Sequence, residues 1–327
     1  MVLLKRSRSR SARTKIFFAT DIHGSDRCFR KFLNAAKHYQ VDHIIIGGDL
    51  TGKVVVPIER RSSGYAADYG DRHYLDMSED ECRELKKLIR DRGSYYVVGT
   101  HDELLELADP TTTEETFRRA AQESVAEWVR LSEERLRGSG IRCFITPGND
   151  DYPEIEDVLK DSDVVEFVEG QVIALDDTYQ MLTTGYANET PWHSPRELPE
   201  EELAARIDGM FAKTAPDLRT LAVLHVPPYN STLDQAPAVE VVNGEIRVKM
   251  SAGSPMMAGA GSTAVRTAIE RYQPLVSLHG HIHESRSAER IGRTLCINPG
   301  SQYSSGVLTS VIVSLSGDGA QYQFVNG

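Results

Sequence analysis

Cysteine is scarce in this chain: only Cys28, Cys82, Cys143 and Cys296 occur among 327 residues, far apart and with no CxxC pair. That excludes a disulfide framework and a thiolate zinc site, and makes a reducing compartment, the cytoplasm, the expected location. Long apolar runs are missing as well. No stretch approaches the ~20 residues of a membrane span, and the apolar part of MVLLKRSRSRSAR is too short for a secretory signal. Without such a signal, the glycosylation patterns at Asn188 and Asn230 carry no information. Positive charge is in deficit, since 37 Lys and Arg face 48 Asp and Glu for a net charge of −11. An acidic protein repels nucleic acid at long range, which favours a small ligand over a polynucleotide. The one basic segment, five Arg or Lys between positions 5 and 13, reads as a solvated tail over 1–14, with a nucleic-acid or lipid-binding arm as the alternative.

What the chain does have is short apolar runs that end in chemistry. Lys15–Thr20, His43–Ile46, Ile141–Thr146, Arg219–Leu224 and Pro274–Leu278 read as buried parallel strands running into loops. Asp26–Tyr39, with Cys28, Phe29, Phe32, Leu33 and Ala36 at helical spacing, completes a βαβ unit with the first two. Beyond the strand ends stand Asp21 and His23 in ATDIHGS, Asp49 in IIIGGDLTG, Asn149 in ITPGNDD, His225 in AVLHVPP, and His281 with His283 in LHGHIHES. Taken singly, each has a bland reading: a capped turn, or a histidine satisfied inside the fold. Taken together they read as one metal site, because ligands collect at the carboxyl ends of strands in open α/β sheets. Their mixed nitrogen and oxygen donors suit Mn, Fe, Zn or Ni better than Ca.

The order and spacing of these blocks resemble the calcineurin-like metallophosphoesterases, whose signature is D-x-H, G-D, G-N-H-[DE], a lone His after a strand, and G-H-x-H. The resemblance runs from Ile16 to about Ser301 and leaves out about 53–140. It implies a layered α/β/β/α sandwich and a dinuclear phosphoric ester hydrolase. Asp21, His23, Asp49 and His283 would hold one divalent ion, and Asp49, Asn149, His225 and His281 the other, with Asp49 bridging. Two such ions can clamp phosphoryl oxygens and lower the pKa of a bridging water toward ~7. Asp49 and Asn149 are thereby the catalytic candidates, with a small phosphate ester as the expected substrate. A phosphodiesterase acting on cyclic or dinucleotides is one alternative, and a metal-poor scaffold on the same fold another.

One block departs from the pattern: Asp150, followed by Asp151, stands where the family has His. Asp150 is therefore a candidate proton donor, although nearby dications would hold its carboxyl ionised. A carboxylate that orients a ligand imidazole from behind, or an N-cap ahead of Pro153, is the alternative reading for this pair.

Two segments fall outside the motifs. The insertion 53–140 is expected to carry a helix Ser78–Arg92, a strand Ser94–Val98 and an amphipathic helix Thr113–Arg137 capped at TTTEE. It reads as a cap over the site or as a lobe for homo-oligomer assembly. The stretch 229–261, rich in Gly, Pro and Ser with Met250, Met256 and Met257, reads as a long lid-like loop beside His225. Together with the core at 15–327, these complete the expected α/β domain with an α+β insertion.

Overall fold

The computed structural model describes residues 13–327. The expected basic tail lies outside the described residues apart from Arg13 and Thr14, and Thr14 already pairs with Leu315 as the first residue of a strand. In chain order come β1 (Thr14–Ala19), α1 (Asp26–His38) and β2 (His43–Gly47). The inserted elements follow: β3 (Val55–Arg61), β4 (Gly64–Tyr69), β5 (Arg72–Met77), α2 (Glu79–Asp91), β6 (Tyr95–Gly99), α3 (His101–Leu105) and α4 (Pro110–Leu136). The sheet resumes with β7 (Arg142–Thr146), α5 (Ile155–Lys160), β8 (Val165–Phe167), β9 (Val172–Ala174), β10 (Tyr179–Thr184), α6 (Glu200–Phe211) and β11 (Arg219–Leu224). The chain closes with α7 (Thr263–Tyr272), β12 (Val276–Leu278), β13 (Ser287–Ile291), β14 (Thr294–Asn298), β15 (Thr309–Ser316) and β16 (Gly319–Asn326).

Two six-stranded sheets result, in the orders β16-β15-β1-β2-β7-β8 and β13-β14-β12-β11-β10-β9. β1, β2, β7 and β8 are mutually parallel, as are β10, β11, β12 and β14. Side chains alternate across a strand, and here both faces are buried. Ile16, Phe18, Ile45 and Phe144 meet Leu221, Val223, Val276 and Leu278 in the layer between the sheets. Phe17, Ile44, Ile46 and Ile145 face the other way onto α1, α4 and α5 through Phe29, Phe32, Val125, Trp128 and Ile155. On the far sheet, Ala222 and Leu224 face Leu203, Ile207, Val265 and Ile269 of α6 and α7. This is the expected α/β/β/α sandwich.

The inserted region divides into two. β5-β4-β3-β6 form their own sheet and share a separate small core with α2, built from Val56, Ile58, Met77, Cys82, Leu85 and Ile89. Helix α4, expected to belong to that insertion, instead packs in the outer layer of the sandwich. Trp128 stacks on Phe29 at 4.4 Å and 5° and donates Nε1–H to Asp26 at 2.7 Å. Its start also differs from expectation, since Asp109 rather than the threonine run caps it, accepting from Thr112 N at 3.0 Å with Pro110 in the first turn. Nor is 229–261 an unstructured loop. Gln235–Pro237 pairs with Met257–Gly259, and the hairpins Val239–Val242/Glu245–Val248 and Met250–Ser251/Ser254–Pro255 extend it into a ribbon.

Trp128→Ala should destabilise the protein by about 3–5 kcal/mol, because it removes a buried stack and orphans a hydrogen bond. Trp192, 61% exposed, should tolerate the same change within about 0.5 kcal/mol. Urea unfolding of the two variants separates these outcomes.

Candidate metal centre

All seven candidate ligands meet where the parallel strands of both sheets end. β1, β2 and β7 lead into Asp21 and His23, Asp49, and Asn149, while β11 and β12 lead into His225 and into His281 with His283. The loops after β1 and β2 continue the ladder past the strands: Asp21 N donates to Gly48 O at 3.0 Å and His23 N to Asp49 O at 3.0 Å. Asp21, His23, Asp49 and His281 have positive φ of 52°, 38°, 51° and 66°. Such backbone is sparsely populated for residues with a Cβ and persists only where the surroundings dictate it. The close approach of these loops requires glycine. A Cβ on Gly148 would collide with the Asp49 side chain, and one on Gly48, at φ 126°, with the His225 ring.

The ligand atoms fall into two groups, Asp21, His23 and His283 on one side and Asp49, His225 and His281 on the other, the atoms of each lying within 4.8 Å of one another, and a carboxylate oxygen of Asp150 comes within the same distance of His23 and Asp49. Asp49 joins them, since its Oδ2 is 3.5 Å from His23 Nε2 and 3.4 Å from His225 Nε2. Asn149 Oδ1 lies 2.8 Å from His281 Nδ1 and completes the second group. Ring orientation is fixed from behind. His225 Nδ1 must donate to Gly47 O at 2.9 Å and His23 Nδ1 to Thr51 O at 3.3 Å, since a carbonyl only accepts, so Nε2 is the ring nitrogen that each turns inward and that offers a lone pair when the ring is neutral. The INPGS turn shapes the last loop: Asn298 Nδ2 donates to Ile282 O at 2.9 Å, and Ser301 Oγ to Asp21 O at 2.6 Å.

Asp150 and Asp151 do not cap a helix, for α5 starts at Ile155 with no side-chain cap. Nor does either orient a ligand imidazole; their carboxylates bind backbone, amide, hydroxyl and ammonium groups instead. Asp151 is buried and accepts from Leu50 N, Thr51 N, Thr51 Oγ1 and Gly148 N at 2.7–2.9 Å. Burial and the nearby Asp49 push its pKa up to about 6. Asp150 accepts from Asn149 Nδ2 at 2.8 Å, Ser194 Oγ at 2.7 Å and Lys53 Nζ at 2.6 Å. The first bond turns the Asn149 amide so that its oxygen faces the centre. Lys53 and Ser194 carry no signal in the sequence; Lys53 directly follows the DLTG turn, and only the turn brings it to the site. Burial opposes its charge, but Asp150 and then Asp49 raise its pKa.

The donor set fits divalent cations. Asp21 and Asp49 are buried carboxylates, 1% and 2% exposed, and His225 Nε2 is buried with no hydrogen-bond partner. Burial opposes a charged His225, yet the carboxylates of Asp49 and Asp21 lift its pKa to about 10. Burial holds His23 and His281 down near about 4. The protein alone thus recruits a proton to balance carboxylates that a cation would otherwise balance.

Fold and site together define the class. The model of the calcineurin-like phosphoesterase family matches residues 14–285, and the chain belongs to that family of metal-dependent hydrolases of phosphoric esters. It is similar to MJ1162 of Methanocaldococcus jannaschii, 28% identical over 161 residues, which make up 49% of this chain and 64% of that protein. Its fold is similar to that of TT1561 of Thermus thermophilus, with a TM-score of 0.54 and 14% identity, covering 95% of this chain and 99% of that one. Among the described residues, no helix is long and apolar enough to cross a membrane, and the four cysteines are buried and unpaired.

Metal binding needs a neutral imidazole. Because the His225 pKa of about 10 lies above neutrality, binding at pH 7 should release about one proton from this ring, and affinity should rise with pH. Calorimetric Mn titrations in buffers of different ionisation enthalpy measure the number; zero release would show a ring already neutral.

Proposed function

We propose that this chain hydrolyses small phosphoric esters with two divalent ions, held by Asp21, His23, Asp49 and His283 and by Asp49, Asn149, His225 and His281. The observation that carries this reading is the convergence of these ligands from the strand ends of both sheets, with Asp49, Asn149, His281 and His283 opening onto a cleft of about 760 Å³. The ions would supply charge to the phosphoryl oxygens and an activated water as nucleophile. The rest is done by the chain. Asp49 lies between the two ligand groups and would neutralise charge on both sides. Gly47 and Thr51 carbonyls keep the His225 and His23 rings turned inward. Asp150 orients Asn149 and, with its carboxylate already accepting from Asn149, Ser194 and Lys53, is an acceptor rather than a proton donor.

The cleft has unequal walls. Ala236, Pro237, Val239 and Ala258 of the ribbon form one side and Pro191 with Trp192 another, while Lys53 brings a charge to the rim. An apolar wall beside charged groups suits an ester whose organic part is flat or apolar.

Asp49→Asn should lower kcat on aryl phosphates under saturating Mn by on the order of 10³-fold or more while the fold survives. Near-normal turnover would sink the dinuclear reading. With no side-chain acid on the leaving oxygen, log(kcat/KM) should fall steeply as leaving-group pKa rises, and Asp150→Ala should leave that slope unchanged. A shallow wild-type slope that steepens in the variant would make Asp150 the donor after all.

A further inference from the structure

A second cavity, of about 640 Å³, adjoins the metal cleft and contains none of its candidate ligands. The two spaces share Lys53, Asp150, Trp192 and Ser194 as lining. Three of these form one hydrogen-bonded unit, with Asp150 between Lys53 Nζ at 2.6 Å and Ser194 Oγ at 2.7 Å. Beyond that unit the cavity is walled by Phe117 and Tyr152, whose rings sit 5.9 Å apart at 62°, together with Val55 and Pro110. Trp192 stands at the divide, 61% exposed. Its loop is not slack. Thr190 N donates to Glu197 at 2.8 Å, Trp192 N donates to Thr190 Oγ1 at 3.2 Å, and the next residue, His193, is held at φ 53°. A mostly exposed indole on a pinned loop belongs to none of the cores, whereas a ring that lines two cavities at once can bear on a ligand from both sides.

We infer that the second cavity is a substrate subsite and that the enzyme takes phosphodiesters, with one organic arm along the ribbon wall and the other beyond the Lys53–Asp150 pair against Phe117, Tyr152 and Trp192. This deepens the phosphoesterase reading and rests on it. A monoester has one arm and would leave one cavity to water. A diester fills both, and its single negative charge lies beside Lys53. In the reaction, water adds to phosphorus, the P–O bond to one arm breaks, and that arm takes up a proton and leaves as an alcohol or phenol. The product is the monoester of the arm that remains.

The experiment compares bis(p-nitrophenyl) phosphate with p-nitrophenyl phosphate under Mn, since both expel the same leaving group. It uses the full chain and two variants that fill the second cavity from its exposed rim, Ala108→Trp and Thr113→Trp. Wild type should prefer the diester in kcat/KM. Each variant should raise the diester KM by about tenfold or more while changing kcat/KM for the monoester less than about twofold. Unchanged diester kinetics in both folded variants, or equal losses on both esters, would overturn the subsite while leaving the phosphoesterase reading intact. Hydrolysis of neither ester by the wild type would overturn that reading, and the subsite with it.

Discussion

The buried carboxylate of Asp151 is the tie on which the geometry of the centre rests. It accepts from Leu50 N, Thr51 N and Thr51 Oγ1 in the loop after β2 and from Gly148 N in the loop after β7. Asp49 and Asn149 are the neighbours of those donors, so one side chain sets the separation of two ligands that belong to different strands. Arg196, itself 2% exposed, closes the same knot by donating N–H to Asn149 O at 3.1 Å and Nε–H to Asp151 O at 2.8 Å. Left-handed backbone at Asp49 costs on the order of 1–3 kcal/mol, and a lattice of buried bonds of this kind is what can hold it.

That knot holds groups which the fold alone would not choose. Asp21 and Asp49 lie together in the interior, and buried like charges are among the least favourable arrangements a protein can keep. The imidazoles temper this by taking a proton, with the His225 pKa raised by the two carboxylates and that of His283 raised by Asp21, both against the cost of burial. His279, in the same LHGHIHES block, takes no part in that balance. Its Nδ1 lies 2.8 Å from Leu224 O and 3.1 Å from Val226 O, so it braces the carbonyls on either side of His225. Burial keeps it neutral, with a pKa near about 4. Three histidines within five residues therefore serve two purposes, and only the G-H-x-H pair faces the centre.

The ligand set is legible in the sequence because its residues follow strands, and strand ends in parallel sheets are aligned by the ladder itself. What is not legible has physical causes. Asp150 and Asp151 are adjacent acids in one turn, and nothing in a dipeptide says which side chain turns inward to the backbone and which outward to Lys53. Helix α4 reads as part of the insertion because it follows β3 to β6 without a break, yet its Val125, Trp128 and Leu136 belong to the main core. The ribbon within 229–261 reads as a loop because its strands are two to four residues long and its Val241, Met250 and Met257 are exposed. Strands that short give no period to detect.

The two kinds of segment divide the labour of the site. Side chains that would hold metal come from strand ends packed on both faces, where each position is fixed by the sandwich. The walls around them come from the ribbon, the Trp192 loop and the first turn of α4, which pack on the edges and can change without disturbing the core. Lys53 is the exception that links them. It stands between the DLTG turn, whose backbone Asp151 fixes, and the inserted sheet that begins at Val55, and it points its ammonium at Asp150. The same short stretch that leaves the core for the insertion thus also carries a charge to the rim of the centre. An insertion made at this point could not move far without moving Lys53, which constrains its first strand even though its own core of Val56, Ile58 and Leu85 is separate.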